Sequence, residues 1–281
     1  MDKWPIGVFT SIDEGLGVRF GVVKELKIPT VHLHTPSREK RTPEAAAAFR
    51  RECDQAGITI TVLFGGFQGE SYADIPTVRR TVGLVPKETR AERVDDLKKI
   101  SDFGRHLGVP AIGIHIGFIP ESPEDPEFAE LVAVTQEVCD YLKGNGQALH
   151  LETGQETAET LLAFIAAVDR DNLFINFDPA NMILYGTGDP IEALKKVGHR
   201  VRSVHCKDAR WAQKPGEEWG EEVPLGQGDV DFEAFLRTLD EFGYTGPLTI
   251  EREIPHDPER QKRDIAAAVQ MLEALKRELA G

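Results

Sequence analysis

Short apolar runs alternate with longer amphipathic or alanine-rich stretches along most of this 281-residue chain. The runs have the length and β-branched content of strands, and the stretches between them have the length and spacing of helices. Eight runs predict strands at residues 6–10, 30–34, 58–64, 111–116, 148–152, 173–178, 201–207 and 248–251. The clearest helical stretches cover residues 43–55, 90–107, 128–143, 157–168, 232–242 and 258–279.

Strands that alternate with helices indicate βαβ units and a parallel sheet. Eight such units in a chain of this length fit a closed barrel better than an open sheet. No composition shift or long Pro/Gly/Ser linker divides the chain. We therefore predict an α/β protein with one domain over residues 1–281, a single (β/α)₈ TIM barrel.

Two segments are longer than ordinary connections between strands and helices. They cover residues 65–88, after the third predicted strand, and residues 208–229, after the seventh. Long loops after barrel strands stand over the C-terminal mouth, where barrel enzymes place their active sites. We expect both loops to contribute to function, although a loop insertion without a role is the alternative.

The alternation of side chains along the predicted strands separates an apolar face from a polar one. In the fifth strand, Leu149 and Leu151 share one face, and His150 and Glu152 share the other. The same alternation holds in the neighbouring strands, so we predict that the apolar set points outward under the helices. The small and polar set then points into the barrel.

Four chemically active residues lie on the inward face near the ends of four consecutive strands: Glu152, Asp178, His205 and Glu251. Three carboxylates buried together would raise one another's pKa, and a divalent cation would remove that repulsion by binding all three in ionised form. One imidazole and three carboxylates suit a fairly hard ion. We predict one divalent metal ion, with Mn²⁺ favoured and Mg²⁺, Co²⁺ or Zn²⁺ as alternatives.

Composition restricts the possible partners and location. The formal net charge of −14 works against nucleic-acid binding, which depends on Lys and Arg contacts to phosphates. No apolar run approaches the roughly 18 residues of a membrane span, and the N-terminus lacks the pattern of a secretory signal. With three widely separated cysteines, Cys53, Cys139 and Cys206, we expect reduced thiols and a cytoplasmic protein. Aromatic residues in the long loops permit a homo-oligomer.

The residues around these strand ends resemble the xylose-isomerase-like barrel superfamily of sugar-phosphate isomerases and epimerases. The resemblance covers nearly the whole chain and is strongest between residues 148 and 253. It rests on the segments LHLETG at 149–154, NFDPAN at 176–181, VHCKDA at 204–209, PLGQGDVDF at 224–232 and GYTGPLTIERE at 243–253.

The resemblance implies that Glu152, Asp178, His205 and Glu251 are the metal ligands. It also implies that Glu152 and Glu251 form the catalytic acid/base pair, on opposite faces of a substrate carbon. A metal that binds a carbonyl and its adjacent hydroxyl stabilises the enediolate and acidifies the neighbouring C–H. Proton return to the same carbon gives an epimer, and return to the adjacent carbon gives an isomer.

The sequence departs from the family pattern at two places, and these departures restrict the number of metal ions and the kind of substrate that we expect. Asn181 occupies a position that is often histidine in the superfamily, and an asparagine is a poor metal ligand, so a second metal is not expected. Asp229 and Asp231 stand where the DNA-repair endonucleases of the superfamily have an Asp-x-His pair. Together with the acidic net charge, these differences argue against a nucleic-acid substrate.

Five residues are candidates for substrate binding. His115 and His34 point inward near the mouth, although each could instead be a hydrogen-bonded core histidine. Lys207 shares the inward face of His205 and could contact a substrate oxygen or act as an acid, with a salt bridge as the alternative. Asn181 can hydrogen-bond a hydroxyl, and Arg210 is the nearest match to an arginine that holds substrate in the epimerases.

The sequence therefore predicts a metal-dependent sugar or sugar-phosphate isomerase or epimerase that acts on a small-molecule carbohydrate. The alternative enzyme is a metal-dependent lyase or dehydratase that acts on a keto-sugar or inosose, since both reactions begin with the same proton abstraction. A non-catalytic sugar-binding barrel and a DNA-processing enzyme are weaker alternatives.

Overall fold

A computed structural model describes residues 3–13, 15–254 and 257–280. Eight parallel strands form the barrel, with bounds β1 Ile6–Ser11, β2 Thr30–His34, β3 Thr59–Phe64, β4 Ala111–Ile114, β5 Ala148–Glu152, β6 Leu173–Phe177, β7 Val201–Cys206 and β8 Leu248–Ile250. Each strand pairs with its neighbour in chain order, and β8 closes the ring against β1 through the register Ile6↔Leu248. The predicted (β/α)₈ TIM barrel is confirmed.

At least one helix follows each strand, and eight of the described helices, one per strand, pack on the outside of the barrel. The helices are α1 Phe20–Glu25, α2 Pro43–Ala56, α3 Lys87–Leu107, α4 Pro126–Gly144, α5 Ala158–Val168, α6 Pro190–Val197, α7 Phe232–Glu241 and α8 Pro258–Ala280. Several begin at a side chain that accepts a hydrogen bond from the first turn, as Thr42, Thr157 and Asp189 do. None of the described helices is long and apolar enough to cross a membrane.

The strands bury two different faces, as their alternation predicts. Leu149, Leu151 and Ile175 belong to the large apolar layer between the barrel and its helices. A separate small cluster of Phe9, Val62, Phe64, Ala111 and Ala148 fills the inside of the barrel. The inward polar side chains near the C-terminal ends of the strands lie outside this cluster and form the polar end of the barrel interior.

Gly113 shows how closely the interior is filled. A Cβ at this position on β4 would lie 2.6 Å from the Phe64 ring, so the aromatic side chain occupies the space that a larger residue would need. Phe64 also stacks on His32 and packs against Phe9 in an edge-to-face arrangement. These rings form the apolar floor beneath the polar residues at the mouth.

Both long loops contain secondary structure that the sequence pattern did not indicate. A helix at Ile75–Thr81 lies within the loop after β3. Two short antiparallel strands, Asp208–Arg210 and Glu221–Val223, lie within the loop after β7. A further short helix, Pro179–Tyr185, follows β6 directly. The mouth of the barrel is thus lined by ordered segments.

Candidate metal centre and active site

Glu152, Asp178, His205 and Glu251 meet at the C-terminal end of the barrel. One potential ligand atom from each of the four lies within 4.8 Å of the others. Glu152, Asp178 and His205 are buried, and the side chain of Glu251 is 10% exposed. They come from the ends of β5 to β8, so consecutive strands bring them together although up to 99 positions separate them in the chain.

Asp178 is held in place by the helix that follows β6. It is the N-cap of Pro179–Tyr185, and its Oδ1 accepts hydrogen bonds from the backbone N–H groups of Ala180 (2.9 Å) and Asn181 (3.1 Å). Its Oδ2 is buried and has no hydrogen-bond partner among the described residues. The helix therefore fixes one oxygen and leaves the other directed to the cluster.

His205 places its Nδ1 between two carboxylates. This nitrogen lies 2.5 Å from Glu152 Oε1 and 2.6 Å from Glu251 Oε2. The opposite nitrogen, Nε2, lies 2.9 Å from Nδ1 of the fully buried His32. His32 thus fixes the orientation of the His205 ring from below, as a partner on the far nitrogen does for a metal-binding histidine.

Each catalytic glutamate candidate has a partner on its second oxygen. Glu152 Oε2 lies 2.9 Å from His115 Nε2, and Glu251 Oε1 accepts a hydrogen bond from Lys207 Nζ at 3.1 Å. Behind His115, the Gln155 amide donates to both His115 Nδ1 (3.2 Å) and the Tyr185 hydroxyl (3.0 Å). The two carboxylates are therefore oriented from outside the cluster as well as within it.

The charges of the cluster are strongly interdependent. Burial raises the pKa of Asp178, and the neighbouring carboxylates of Glu251 and Glu152 raise it further. Burial opposes ionisation of Glu152 too, yet the charges of His115 and His205 hold its pKa well below the usual value. The pKa of His205 is raised against its burial because Glu152 and Glu251 stabilise the imidazolium. The centre therefore favours positive charge between the carboxylates.

These residues have the donor atoms that a divalent cation needs. Glu152, Glu251 and Asp178 each direct a carboxylate oxygen to a common centre, and His205 adds one nitrogen, a donor set that oxygen-preferring divalent ions accept. Asp178 Oδ2 is the decisive atom, since a buried carboxylate oxygen without a partner is costly unless a cation binds it. The cluster therefore fits a divalent metal site.

A cavity of about 960 Å³ opens above the cluster. Of the predicted substrate-binding residues, four line it: His34, His115, Asn181 and Lys207. Asn181 and Lys207 are buried, and Lys207 Nζ lies 3.4 Å from Asn181 Oδ1. Lys207 forms a salt bridge with Glu251, which was the alternative to substrate contact for this lysine. Its side chain nevertheless lies at the cavity wall.

Arg210 differs from the expectation. Its side chain is 52% exposed, donates to Gln227 O at 3.1 Å and lies 3.8 Å from Glu221, outside the cavity lining. The reason is that β7 ends at Cys206, and the short strand Asp208–Arg210 then directs this side chain away from the mouth. Asp231 caps α7 and Asp229 accepts from Trp211 N–H, so both have structural partners.

Several residues at the site were not among the four predicted metal ligands or the five predicted substrate-binding residues. His32 contacts His205, and Asn176 donates to Glu152 Oε1 at 3.2 Å. Gln155 contacts His115 and donates to the Tyr185 hydroxyl. Strand alternation already placed His32 and Asn176 on the inward face, so that signal could have found them. Gln155 and Tyr185 depend on the paths of a loop and a short helix, which alternation does not report.

With this geometry, comparison with known proteins decides the family. The sequence model of the xylose isomerase-like TIM barrel family matches residues 20–275. The chain belongs to this family. Among solved structures, a xylose isomerase domain protein from Planctomyces limnophilus is 61% identical, with a TM-score of 0.97 and 99% of each chain covered.

More distant relatives differ in their reactions. An inosose dehydratase from Clostridium botulinum is 31% identical over 115 residues, which is 37% of this chain and 38% of that protein. The chain therefore matches less than half the length of this curated relative. An L-ribulose 3-epimerase is 18% identical with a TM-score of 0.71, over 99% of this chain and 97% of the other, which is a likeness of fold.

Proposed function

We propose that this chain is a divalent-metal-dependent isomerase or epimerase that moves a proton on a small carbohydrate. The observation that carries the proposal is the pair of glutamates, from β5 and β8, that approach the His205 nitrogen while Asp178 supplies a free oxygen. A divalent cation bound there would polarise a substrate carbonyl and so acidify the adjacent C–H.

The two glutamates carry the proton transfer in this proposal. Glu152 and Glu251 both line the cavity, so each can meet a substrate carbon at the floor of the mouth. Glu152 is supported by His115 and Glu251 by Lys207, and these contacts orient the two carboxyl groups. The glutamate that enters the step as an anion removes a proton from one face of the carbon, and the other, which enters protonated, returns one to the opposite face. Proton exchange with solvent then restores the starting protonation of the pair.

The oxygen-rich donor set favours Mn²⁺, with Mg²⁺, Co²⁺ and Zn²⁺ as alternatives. Asn181, His34 and Lys207 are proposed to hold substrate oxygens, since all three line the cavity. His115 is proposed to act mainly through Glu152, because its Nε2 is already committed to that carboxylate. A cytoplasmic location, a homo-oligomer and the lack of nucleic-acid binding stay predictions from the sequence.

The test is solvent-hydrogen incorporation by the metal-loaded protein in D₂O, followed by NMR over a panel of ketoses. Deuterium at the carbon next to the carbonyl, with a changed configuration, supports epimerisation. Glu152→Gln and Glu251→Gln should each lower kcat by about a thousandfold or more while leaving the fold intact, because each removes a proton carrier. Glu192→Gln on the exposed face of α6 is the matched control. Full turnover in either site variant would refute the assignment.

A dehydratase is the second candidate, and the partial likeness to inosose dehydratases favours it. Elimination begins with the same proton abstraction and then needs an acid for the departing hydroxyl. Lys207 is a buried cation at the cavity wall and could supply that proton. Loss of water from an inosose or another keto-sugar in the same NMR experiment would select this reaction.

A further inference from the structure

The cavity above the cluster is lined by more acidic than basic side chains. Among the residues that the structure describes, eight carboxylate side chains line it, against three lysine or arginine side chains, Arg38, Arg41 and Lys207. A bound divalent cation would neutralise only part of this excess. The charge of the lining therefore bears directly on which carbohydrates can enter, because a like charge in a confined cavity is repelled.

The three cations are also engaged by carboxylates. Lys207 Nζ lies 3.1 Å from Glu251, and Arg41 Nη1 lies 2.9 Å from the buried Asp96. Arg38 Nε contacts the same Asp96 oxygen at 2.9 Å, and its Nη1 donates to Glu92 at 2.9 Å. Every Lys and Arg at the wall, among the described residues, therefore has an acidic partner.

At the end of β2 and the start of the following loop, the cavity also offers neutral hydrogen-bonding groups. His34 Nδ1 and Thr35 Oγ1 are buried without hydrogen-bond partners among the residues that the structure describes, and both residues line the cavity. Burial lowers the pKa of His34 to about 4, so its imidazole is neutral near pH 7. These groups suit hydroxyls, which both donate and accept.

We infer that the substrate is an uncharged polyhydroxylated carbonyl compound, and that the cavity rejects sugar phosphates and sugar acids. This inference rests on the proposed function, because it takes the cluster as the end that receives the carbonyl. It assigns the opposite wall, with His34 and Thr35, to the distal hydroxyls. Arg38 and Arg41 then serve to hold Asp96 and the loop after β2, and provide no anion site.

The test compares matched pairs of ligands with the Mg²⁺-loaded protein by calorimetric titration. D-fructose, D-tagatose and D-xylulose are each measured against their terminal phosphate esters. Inorganic phosphate is titrated separately, so that an ester held by its phosphate alone is recognised. At least one free ketose should bind, and its ester should bind about tenfold more weakly or worse, as expected for an unpaired anion among carboxylates. An ester that binds as well as its parent, or the failure of every free ketose, overturns the inference.

Two variants should remove most of the preference for the free ketose. Asp96→Asn frees Arg38 and Arg41 from their common partner, and Glu39→Lys adds a cation on an exposed residue of the cavity wall. Each should strengthen ester binding by about tenfold relative to the parent protein. Glu88→Gln, on the exposed first turn of α3 and outside the cavity lining, is the matched control and should leave ester binding unchanged. Glu39→Lys decides the result if Asp96→Asn does not fold, and unchanged ester affinity in a folded variant overturns the inference.

The two proposals fail in different ways. If no deuterium from solvent enters any bound ligand, the proposed proton transfer is wrong whichever ligand binds. If deuterium enters a phosphate ester faster than its free ketose, the proton transfer stands and the assignment of an uncharged substrate is wrong.

Discussion

At the scale of single residues, each member of the cluster is oriented by a partner outside it. Backbone N–H groups hold one oxygen of Asp178, His32 holds the far nitrogen of His205, and His115 holds the second oxygen of Glu152. Metal-binding side chains commonly need such support, since a ligand that rotates freely loses affinity for the ion. The same partners decide which oxygen of each carboxylate faces the centre of the cluster.

Substitution of Gln155 tests whether a partner outside the cluster orients Glu152 through His115. It donates to His115 Nδ1, and this hydrogen bond leaves the proton of a neutral imidazole on Nε2, which faces Glu152. Gln155→Leu should lower kcat by about tenfold with little change in KM, because the loss falls on the orientation of Glu152. Tyr185→Phe, which removes only the other partner of Gln155, should cost less. Steady-state kinetics with the best ketose, at saturating metal, measures both.

An unchanged kcat in Gln155→Leu would show that His115 holds Glu152 without help from the amide. A higher KM with unchanged kcat would instead place Gln155 in ground-state binding of the substrate.

Alternation along the strands was sufficient to predict the inward face and the four residues that meet there. Glu152, Asp178, His205 and Glu251 are identified because the side-chain period of a strand is two residues. Alternation could not predict that Gln155 supports His115, because Gln155 lies beyond the end of β5 in a loop. Arg210, the expected substrate-binding arginine, lies outside the cavity lining because it belongs to the short strand after β7, which the sequence pattern did not indicate.

At the scale of elements, the mouth is shaped by two loops that touch each other. Trp219, in the loop after β7, donates from Nε1 to the backbone oxygen of Tyr72, in the loop after β3, at 3.3 Å. The Trp219 ring also packs against Tyr185, with ring centroids 4.6 Å apart. These three aromatic residues line one wall of the cavity. A sugar face could stack on such a wall.

The loop after β7 is organised by one buried carboxylate. Asp208 accepts hydrogen bonds from four backbone N–H groups, those of Ala209, Gly226, Gly228 and Val230. A Cβ on Gly228 would lie 2.2 Å from Asp208 Oδ1, so glycine is needed for this close approach. The segment PLGQGDVDF thus has a structural purpose in this protein, as the closure of the loop that carries Trp219.

Trp219→Ala tests the contribution of the aromatic wall. It should raise KM by about threefold to tenfold with a smaller effect on kcat, because ring contacts with a substrate contribute about 1 kcal/mol. Trp211→Ala is the matched control, since that ring lies in the same loop but is 38% exposed and outside the cavity lining. Initial-rate measurements on both variants provide the comparison. Equal effects of the two substitutions would remove Trp219 from substrate binding.

Hydrophobic periodicity predicted the eight strands to within one or two residues at each end. It did not predict the short helices Ile75–Thr81 and Pro179–Tyr185. Segments of seven residues complete only two helical turns, so their periodicity is weak, and their stability comes from caps such as Asp74 and Asp178 and from packing. The second of these helices matters most, because its N-cap is a cluster residue.

At the scale of the whole molecule, the cluster connects four of the eight barrel strands. Its residues come from the ends of four adjacent strands, β5 to β8, so a cation bound there would link them all. A ligand that binds only the folded state stabilises it by mass action, by ~2.7 kcal/mol at a hundredfold excess over Kd. Metal binding should therefore be visible in the unfolding temperature.

Chelation should lower the unfolding temperature, and added Mn²⁺ should restore it. Asp178→Asn should abolish that metal-dependent shift, since the variant loses the free carboxylate oxygen. Without metal, the same variant should be at least as stable as the parent protein, because the substituted amide would keep the shape of the cap while removing one of three mutually repelling carboxylates. Calorimetry with and without metal measures both. A full Mn²⁺ shift in the variant would show that Asp178 is not a ligand.

Glu156 gives the molecule a pH dependence that is separate from the metal. Its carboxylate is buried without a hydrogen-bond partner among the described residues, and burial raises its pKa from 4.5 to about 8. Below the unfolded pKa, both states are protonated and the contribution to stability is fully present. As pH rises, the unfolded chain releases its proton first, so stability is lost by ~1.4 kcal/mol per pH unit until the folded pKa is reached.

Glu156→Gln keeps the neutral shape at every pH and removes this loss. The variant should match the parent protein near pH 4 and exceed its free energy of unfolding by a few kcal/mol near pH 8, since the interval between the unfolded and folded pKa values lies between these two pH values. Urea unfolding of both metal-free proteins at the two pH values measures the difference. The control is Glu159→Gln, on the exposed first turn of α5, where a salt bridge to Lys196 gives no reason for a gain at high pH. Equal stability of Glu156→Gln and the parent at both pH values would mean that Glu156 is ionised in the folded protein, and that water or a cation reaches it.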